Sequence, residues 1–135
     1  MTTLLKKQLE STNPAIRRKA LLTLCQNYPQ RSLGRLKRAL LHDPSPVIRH
    51  EGAFLLGELK EKGAIPSLIK VIKNDTSDLV RHEAIEALGD IGIKSKQVIS
   101  VLKSLKKDKV LFIAETASIA LSTLLLQKKE GNSRH

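Results

Sequence analysis

The stretch at 43–57, DPSPVIRHEGAFLLG, is copied at 75–89 as DTSDLVRHEAIEALG, an offset of 32 residues without a gap. Asp, Ser, Arg, His, Glu and Gly recur at the same places in both copies. The unit returns more weakly near each end of the chain, as IRRKALLTL at 16–24 and IAETASIAL at 113–121. Four copies of one unit are typical of a repeat protein whose neighbouring units share a core, and degenerate end copies are typical of caps.

Each unit has the apolar spacing of a helical hairpin. In the third copy, Val80, Ala84, Ala87, Leu88 and Ile91 follow the pattern of a helix with one buried face. An aromatic content of 2% requires an aliphatic core, which favours helices packed closely on helices. We therefore expect an all-α solenoid of four HEAT-like hairpins, with eight helices and no β-strand. The first helices are predicted at 3–10, 30–41, 64–73 and 95–106, and the second helices at 14–26, 46–59, 78–91 and 110–127.

Residues at the turns indicate how the hairpins are closed and joined. Ser45 and Ser77 stand immediately before two of the second helices and are N-cap signals. An Asp and an Arg six residues apart, such as Asp75 and Arg81, recur in both central copies. They resemble the ladder that links neighbouring hairpins in HEAT proteins, and we interpret them as structural.

Length and composition predict a single domain and limit the classes of partner that it could bind. A single solenoid is expected over 1–127, followed by a polar, disordered tail at 128–135. The N-terminus lacks a signal-peptide layout and no apolar run is long enough for a membrane span, so we expect a cytoplasmic protein without membrane contact. The net charge of +11 raises the possibility of an acidic protein or nucleic acid as partner. With one Tyr and two Phe to stack on bases, nucleic acid is not expected.

Two His-Glu pairs, His50-Glu51 and His82-Glu83, are the candidates for metal chemistry. The apolar stripe occupies the buried face, so both pairs are expected on an outward flank of the second helices. Stacking in register places His50 and His82 on adjacent helices about 8–10 Å apart, where they could share one ion with Glu51 or Glu83. Two nitrogens and an oxygen suit a non-haem iron centre. The alternative is that a duplicated repeat has copied a surface pair without a function.

Three further residues bear on this site. Gly57 and Gly89 follow the histidines by seven residues, or about two helical turns, and are expected to leave open space beside the imidazoles. Cys25 is the single cysteine, so an internal disulfide or a thiolate metal cluster is excluded. We interpret it as a small core residue.

The chain resembles one half of the deoxyhypusine hydroxylase family. The resemblance runs through roughly residues 15–125. In that family two four-hairpin halves face each other across a di-iron centre, and the enzyme uses oxygen to hydroxylate a polyamine-modified lysine on a translation factor. Five stretches carry the resemblance, in the right order and spacing: RRKALLTL (17–24), DPSPVIRHEGAFLLGEL (43–59), AIPSLIKVI (64–72), VRHEAIEALGDIG (80–92) and VLFIAETASIAL (110–121).

The resemblance implies a site and a reaction for this chain. It makes His50 and His82 iron ligands and divides Glu51 and Glu83 between ligating metal and holding the cationic substrate, without assigning which does which. Because the chain carries half of the family's motifs, a di-iron (Fe²⁺) centre would require a homodimer. This homodimer would be an iron-dependent monooxygenase acting on a protein with a modified lysine, and another divalent transition metal could replace the iron.

The net charge of +11 departs from this expectation, because it would repel a cationic substrate. The competing hypothesis is a non-catalytic HEAT scaffold that binds an acidic protein or nucleic acid through its basic surface.

Overall fold

The predicted all-α architecture is confirmed. The computed structural model describes the backbone of residues 1–133 and the side chains of residues 1–127, and this part of the chain forms eight α-helices and no strand. No helix there has both the length and the apolar character that crossing a bilayer requires. The helices are α1 Thr3–Leu9, α2 Pro14–Asn27, α3 Ser32–His42, α4 Pro46–Glu58, α5 Ile65–Asn74, α6 Asp78–Ile91, α7 Lys96–Ser104 and α8 Leu111–Ser133.

The bounds of the first helices differ from the prediction by at most two residues, whereas α8 continues six residues beyond its predicted end at 127. Short 3-10 helices precede α3 and α5, at Pro29–Arg31 and Lys62–Ala64, and another follows α7 at Leu105–Lys107. An apolar pattern does not show where the hydrogen bonding tightens from α to 3-10, so the predicted ranges include parts of these turns. The disordered tail predicted at 128–135 falls on residues outside the described side chains and stays a prediction.

Polar side chains set the start of the second helices. The Ser77 hydroxyl accepts a hydrogen bond from the backbone N–H of Val80 at 3.3 Å, and therefore caps α6. Ser45 holds the N-cap position of α4, but its side chain makes no capping bond. The Asp43 carboxylate instead accepts the N–H of Ser45 at 2.9 Å. Both predicted starts are confirmed, although the aspartate holds the turn before α4.

The hairpins stack into two layers with an aliphatic core between them. Helices α2, α4, α6 and α8 contact one another in order and form the second-helix layer, whereas α3, α5 and α7 contact one another in order and form the first-helix layer. Leu36, Leu68 and Leu102, one from each helix of the first-helix layer, are fully buried. The predicted apolar stripe of α6 is also buried: Val80, Ala84, Ala87, Leu88 and Ile91.

An arginine–aspartate ladder joins each repeat to the next. The guanidinium of Arg49 donates to both carboxylate oxygens of Asp75, at 2.9 and 3.1 Å. This contact bridges the second and third repeats and confirms the predicted structural role. The same contact recurs in two further pairs, Arg17 with Asp43 and Arg81 with Asp108.

The last rung of the ladder couples stability to pH. The hydrogen bond from Arg81 holds the pKa of the Asp108 carboxyl below its ordinary value, against the opposing effect of burial. A carboxylate with a lowered pKa in the folded state stabilises the fold above the unfolded Asp value of about 3.9. That contribution is lost as the pH falls through the folded value.

Asp75→Ala is expected to lower the free energy of unfolding by about 2–4 kcal/mol. The substitution leaves the guanidinium of Arg49 without its carboxylate partner and removes the acceptor for the N–H of Ser77. Urea unfolding followed by circular dichroism measures the change. The control, Glu58→Ala at an exposed site on α4, is expected to change stability by less than about 0.5 kcal/mol. Equal losses in the two variants would contradict the ladder's role.

Candidate metal centre

The two His-Glu pairs lie in the second turns of α4 and α6, which pack side by side. A β-carbon at Gly57 would lie 3.0 Å from the Cα of Ala87 on α6, so the glycine permits a close approach of the two helices. A β-carbon at Gly89 would likewise meet Ala120 of α8, at 3.6 Å. The prediction that these glycines leave open space beside the histidines is wrong for Gly57, because α6 occupies that space. It is confirmed for Gly89, which lines a surface cavity together with His82.

His50 and Glu83 are brought together across two repeats. The Nε2 atom of His50 is 3.3 Å from Oε2 of Glu83, and the side chains are 41% and 13% exposed. Burial raises the pKa of the Glu83 carboxyl; the charge of His50 opposes the rise and that of Glu86 adds to it. A carboxylate in such surroundings is stabilised by a nearby cation, either a protonated imidazole or a metal ion.

Glu51 has a different partner. This residue is 9% exposed, so the prediction of an outward position is wrong for it. Its Oε1 atom is 3.6 Å from Nη2 of Arg18 on α2. In the repeat alignment Arg18 stands where His50 stands, and Glu51 stands where Glu83 stands. The two contacts are therefore equivalent, with a guanidinium replacing the imidazole in the first repeat.

His82 makes its ion-pair contact within its own helix. Its Nε2 atom is 3.1 Å from Oε1 of Glu86, one helical turn later. The ring also meets the edge of Phe112 on α8, with ring centroids 5.7 Å apart. In the terminal repeat, Thr116 takes the place that Glu83 has in the third. The series of contacts from one second helix to a carboxylate on the next therefore ends before α8.

The four predicted ligands are thus distributed over three contacts. Only His50 and Glu83 face each other, whereas Glu51 and His82 have separate partners. Among the described residues, no group of three or more His, Cys, Asp or Glu side chains could hold a metal ion. Imidazole and carboxylate fit iron in kind. One chain brings these groups together only two at a time. A complete metal centre would therefore need ligands from a second molecule.

Two residues of this region do not belong to the His-Glu motif. Arg18 could have been found from the repeat, because it precedes His50 by 32 positions. Glu86 could have been found from helix geometry, because it follows His82 by four positions.

Cys25 is half-buried, and burial raises the pKa of its thiol to about 11. The thiol is therefore protonated at neutral pH, in keeping with a packing role.

The chain matches one family model and a solved enzyme structure. The model for HEAT repeats matches residues 33–122. The structure of human deoxyhypusine hydroxylase in complex with glycerol is similar, with a TM-score of 0.82 and 31% sequence identity. The similarity covers 95% of this chain and 44% of the human chain, so this chain spans less than half of that protein's length. No curated protein sequence matches.

Gly57→Ala is expected to destabilise the protein by about 1–3 kcal/mol, because the added methyl group must displace the backbone of α6 at Ala87. Gly34→Ala is the matched control, since a β-carbon there would meet nothing within 4 Å. The control is expected to stabilise α3 by about 0.5–1 kcal/mol through helix propensity. Thermal unfolding distinguishes the two variants. A neutral Gly57→Ala variant would mean that α4 and α6 are farther apart than described.

Proposed function

Because this chain belongs to the HEAT-repeat family and has the fold of one half of a deoxyhypusine hydroxylase, we propose that it is the half-unit of an iron-dependent hydroxylase. Two copies of the chain would complete the centre. The contact between His50 and Glu83 is the observation that carries the proposal. It places an imidazole and a carboxylate together on the second-helix layer.

His50, His82 and Glu83 are the residues that we propose to hold the iron. Bonds of about 2.1 Å from one ion to two ligands, at angles of about 90–110°, place the two donor atoms about 3.0–3.4 Å apart. The 3.3 Å between His50 and Glu83 falls in this range. His82 precedes Glu83 on α6 but contacts Glu86 and Phe112, so its imidazole would have to turn away from them to reach the ion.

Glu51 is the residue that we propose to hold the amine of the substrate. Its contact with Arg18 indicates that this buried carboxylate accepts a cationic partner. A substrate ammonium group would take the place of the guanidinium. Iron, when bound, supplies the oxygen chemistry, while the protein orients the ligands and positions the C–H bond to be hydroxylated.

A second copy of the chain is the proposed source of the missing ligands. Two copies together approach the length of the human hydroxylase, of which one copy covers 44%. A two-fold symmetric contact is the commonest way for a protein to double a half-site. The competing candidate, favoured by the net charge of +11, is a HEAT scaffold that binds an acidic partner without catalysis.

Anaerobic loading with ferrous iron is expected to give about one bound iron per chain and to raise the unfolding temperature, since a ligand at 100 times its Kd stabilises by about 2.7 kcal/mol. His50→Ala and Glu83→Gln should each lose most of the iron. His42→Ala, exposed on α3, is the matched control and should retain it. Elemental analysis measures the metal. Full iron content in a His50→Ala/His82→Ala variant would place the metal elsewhere. If the unsubstituted protein bound no iron, the scaffold function would be favoured instead.

Sedimentation velocity of the iron-loaded protein is expected to show a species of twice the 15.0 kDa of one chain. Removal of the iron, or the His50→Ala/His82→Ala double substitution, should shift this species toward the monomer, because the ion ties the two chains together. A monomer that keeps its iron at high protein concentration would contradict the shared centre.

A further inference from the structure

In the helices of the two central hairpins, the acidic residues lie on one of the two helix layers. Helices α3, α5 and α7 contain no Asp or Glu. The acidic residues of the two central hairpins' helices lie on the other layer, in α4 and α6: Glu51, Glu58, Asp78, Glu83, Glu86 and Asp90. The charged side chains of the first-helix layer are all cations: Arg35, Lys37 and Arg38 of α3, Lys70 and Lys73 of α5, and Lys96 and Lys103 of α7.

One cation recurs at the same repeat position in each first helix. Lys6, Arg38, Lys70 and Lys103 are separated by 32, 32 and 33 residues, and all four are exposed. Helix α3 contacts α5, and α5 contacts α7. At about 9–10 Å between packed helices, Arg38, Lys70 and Lys103 form a row about 20 Å long, which we call the basic row.

Few acidic groups approach the basic row. Glu10 lies 3.4 Å from Arg38 and also binds Arg35, at the end of the row. Lys70 and Lys103 form no ion pair within the described part of the chain. Two of the three cations in the row are therefore available to an external anion.

The exposed apolar residues lie away from the basic row. In the described part of the chain, large hydrophobic side chains are exposed on α1, α2, α4, α6 and α8, but not on α3, α5 or α7. Protein partners dock through an apolar centre rich in aromatic residues, and helices that lie on membranes insert an apolar face. The first-helix layer offers neither. A row of cations without an apolar centre favours phosphate groups as its ligands.

The aromatic residues favour a double helix over a single strand. The chain has one Tyr and two Phe, namely Tyr28, Phe54 and Phe112, and none of them lies on α3, α5 or α7. Single strands are held by bases stacking on aromatic rings, whereas a duplex is held through its phosphates. The prediction that nucleic acid is not a partner rested on this shortage of aromatic residues. That argument applies to single strands and not to duplexes.

We propose that the face formed by α3, α5 and α7 binds the sugar–phosphate backbone of a nucleic-acid double helix without reading its sequence. The proposal does not depend on the metal centre, which is on the opposite layer. Lys70 and Lys103 are its central contacts, and Arg38 would exchange Glu10 for a phosphate.

Fluorescence anisotropy with the full chain and a duplex of about 20 base pairs of arbitrary sequence tests this proposal. With three phosphate contacts, the slope of log affinity against log salt is expected near −2.7, which lowers affinity about 40-fold between 50 and 200 mM salt. DNA and RNA duplexes are compared to identify which source of phosphate backbone binds more tightly. Binding by either duplex supports the proposal, and binding by neither overturns it.

Lys70→Gln/Lys103→Gln removes two contacts and is expected to reduce the magnitude of the slope by about 1.8. Binding at 50 mM salt is expected to weaken by at least about tenfold, which is the factor that this change in slope produces between about 200 and 50 mM. Lys19→Glu, exposed on α2, changes the net charge by the same two units and is the matched control, expected to weaken binding less than twofold. Equal losses in both variants would mean general charge attraction and would overturn the docking face. Tighter binding to a single strand, to polyglutamate or to anionic vesicles than to the duplex would also overturn the proposal.

Discussion

The close packing of α4 against α6 is the constraint on which the other features depend. No side chain fits between the helices at Gly57, where a β-carbon would touch the backbone of Ala87. The bidentate contact of Arg49 with Asp75 fixes the same two repeats in register at the turns. Once distance and register are both set, residues one repeat apart become neighbours. A side chain that recurs in the sequence then becomes part of a row on the surface.

Two such rows of different chemistry lie on opposite layers. On the second-helix layer, the row of cross-repeat contacts runs from Arg18 with Glu51 to His50 with Glu83, and it ends where Thr116 replaces the carboxylate. On the first-helix layer, the basic row continues through the second, third and fourth repeats. The first row changes its residues from repeat to repeat, which suits a localised site, whereas the constant second row suits an extended polyanion.

The repeat alignment was sufficient for the helices, the buried stripe of α6 and the ladder, because each depends on spacing alone. It was not sufficient for the pairing of His50. This residue adjoins Glu51 in sequence, but successive residues point about 100° apart around a helix, so the two face different neighbours. Gly57 was equally ambiguous, since a missing side chain can leave space or admit another helix. Only the position of α6 decides between these two outcomes.

The division of charge removes the conflict between a net charge of +11 and a cationic substrate. Fields from exposed charges are screened over about 8 Å at physiological ionic strength, whereas the outer surfaces of two packed helix layers are about 20 Å apart. An amine that approaches α4 and α6 therefore meets mainly the charges of these helices. Their arginines, Arg49 and Arg81, are already paired with Asp75 and Asp108, which leaves the carboxylates of the helices to set the local potential. The total charge of a layered repeat protein is thus a poor guide to the ligand of either face.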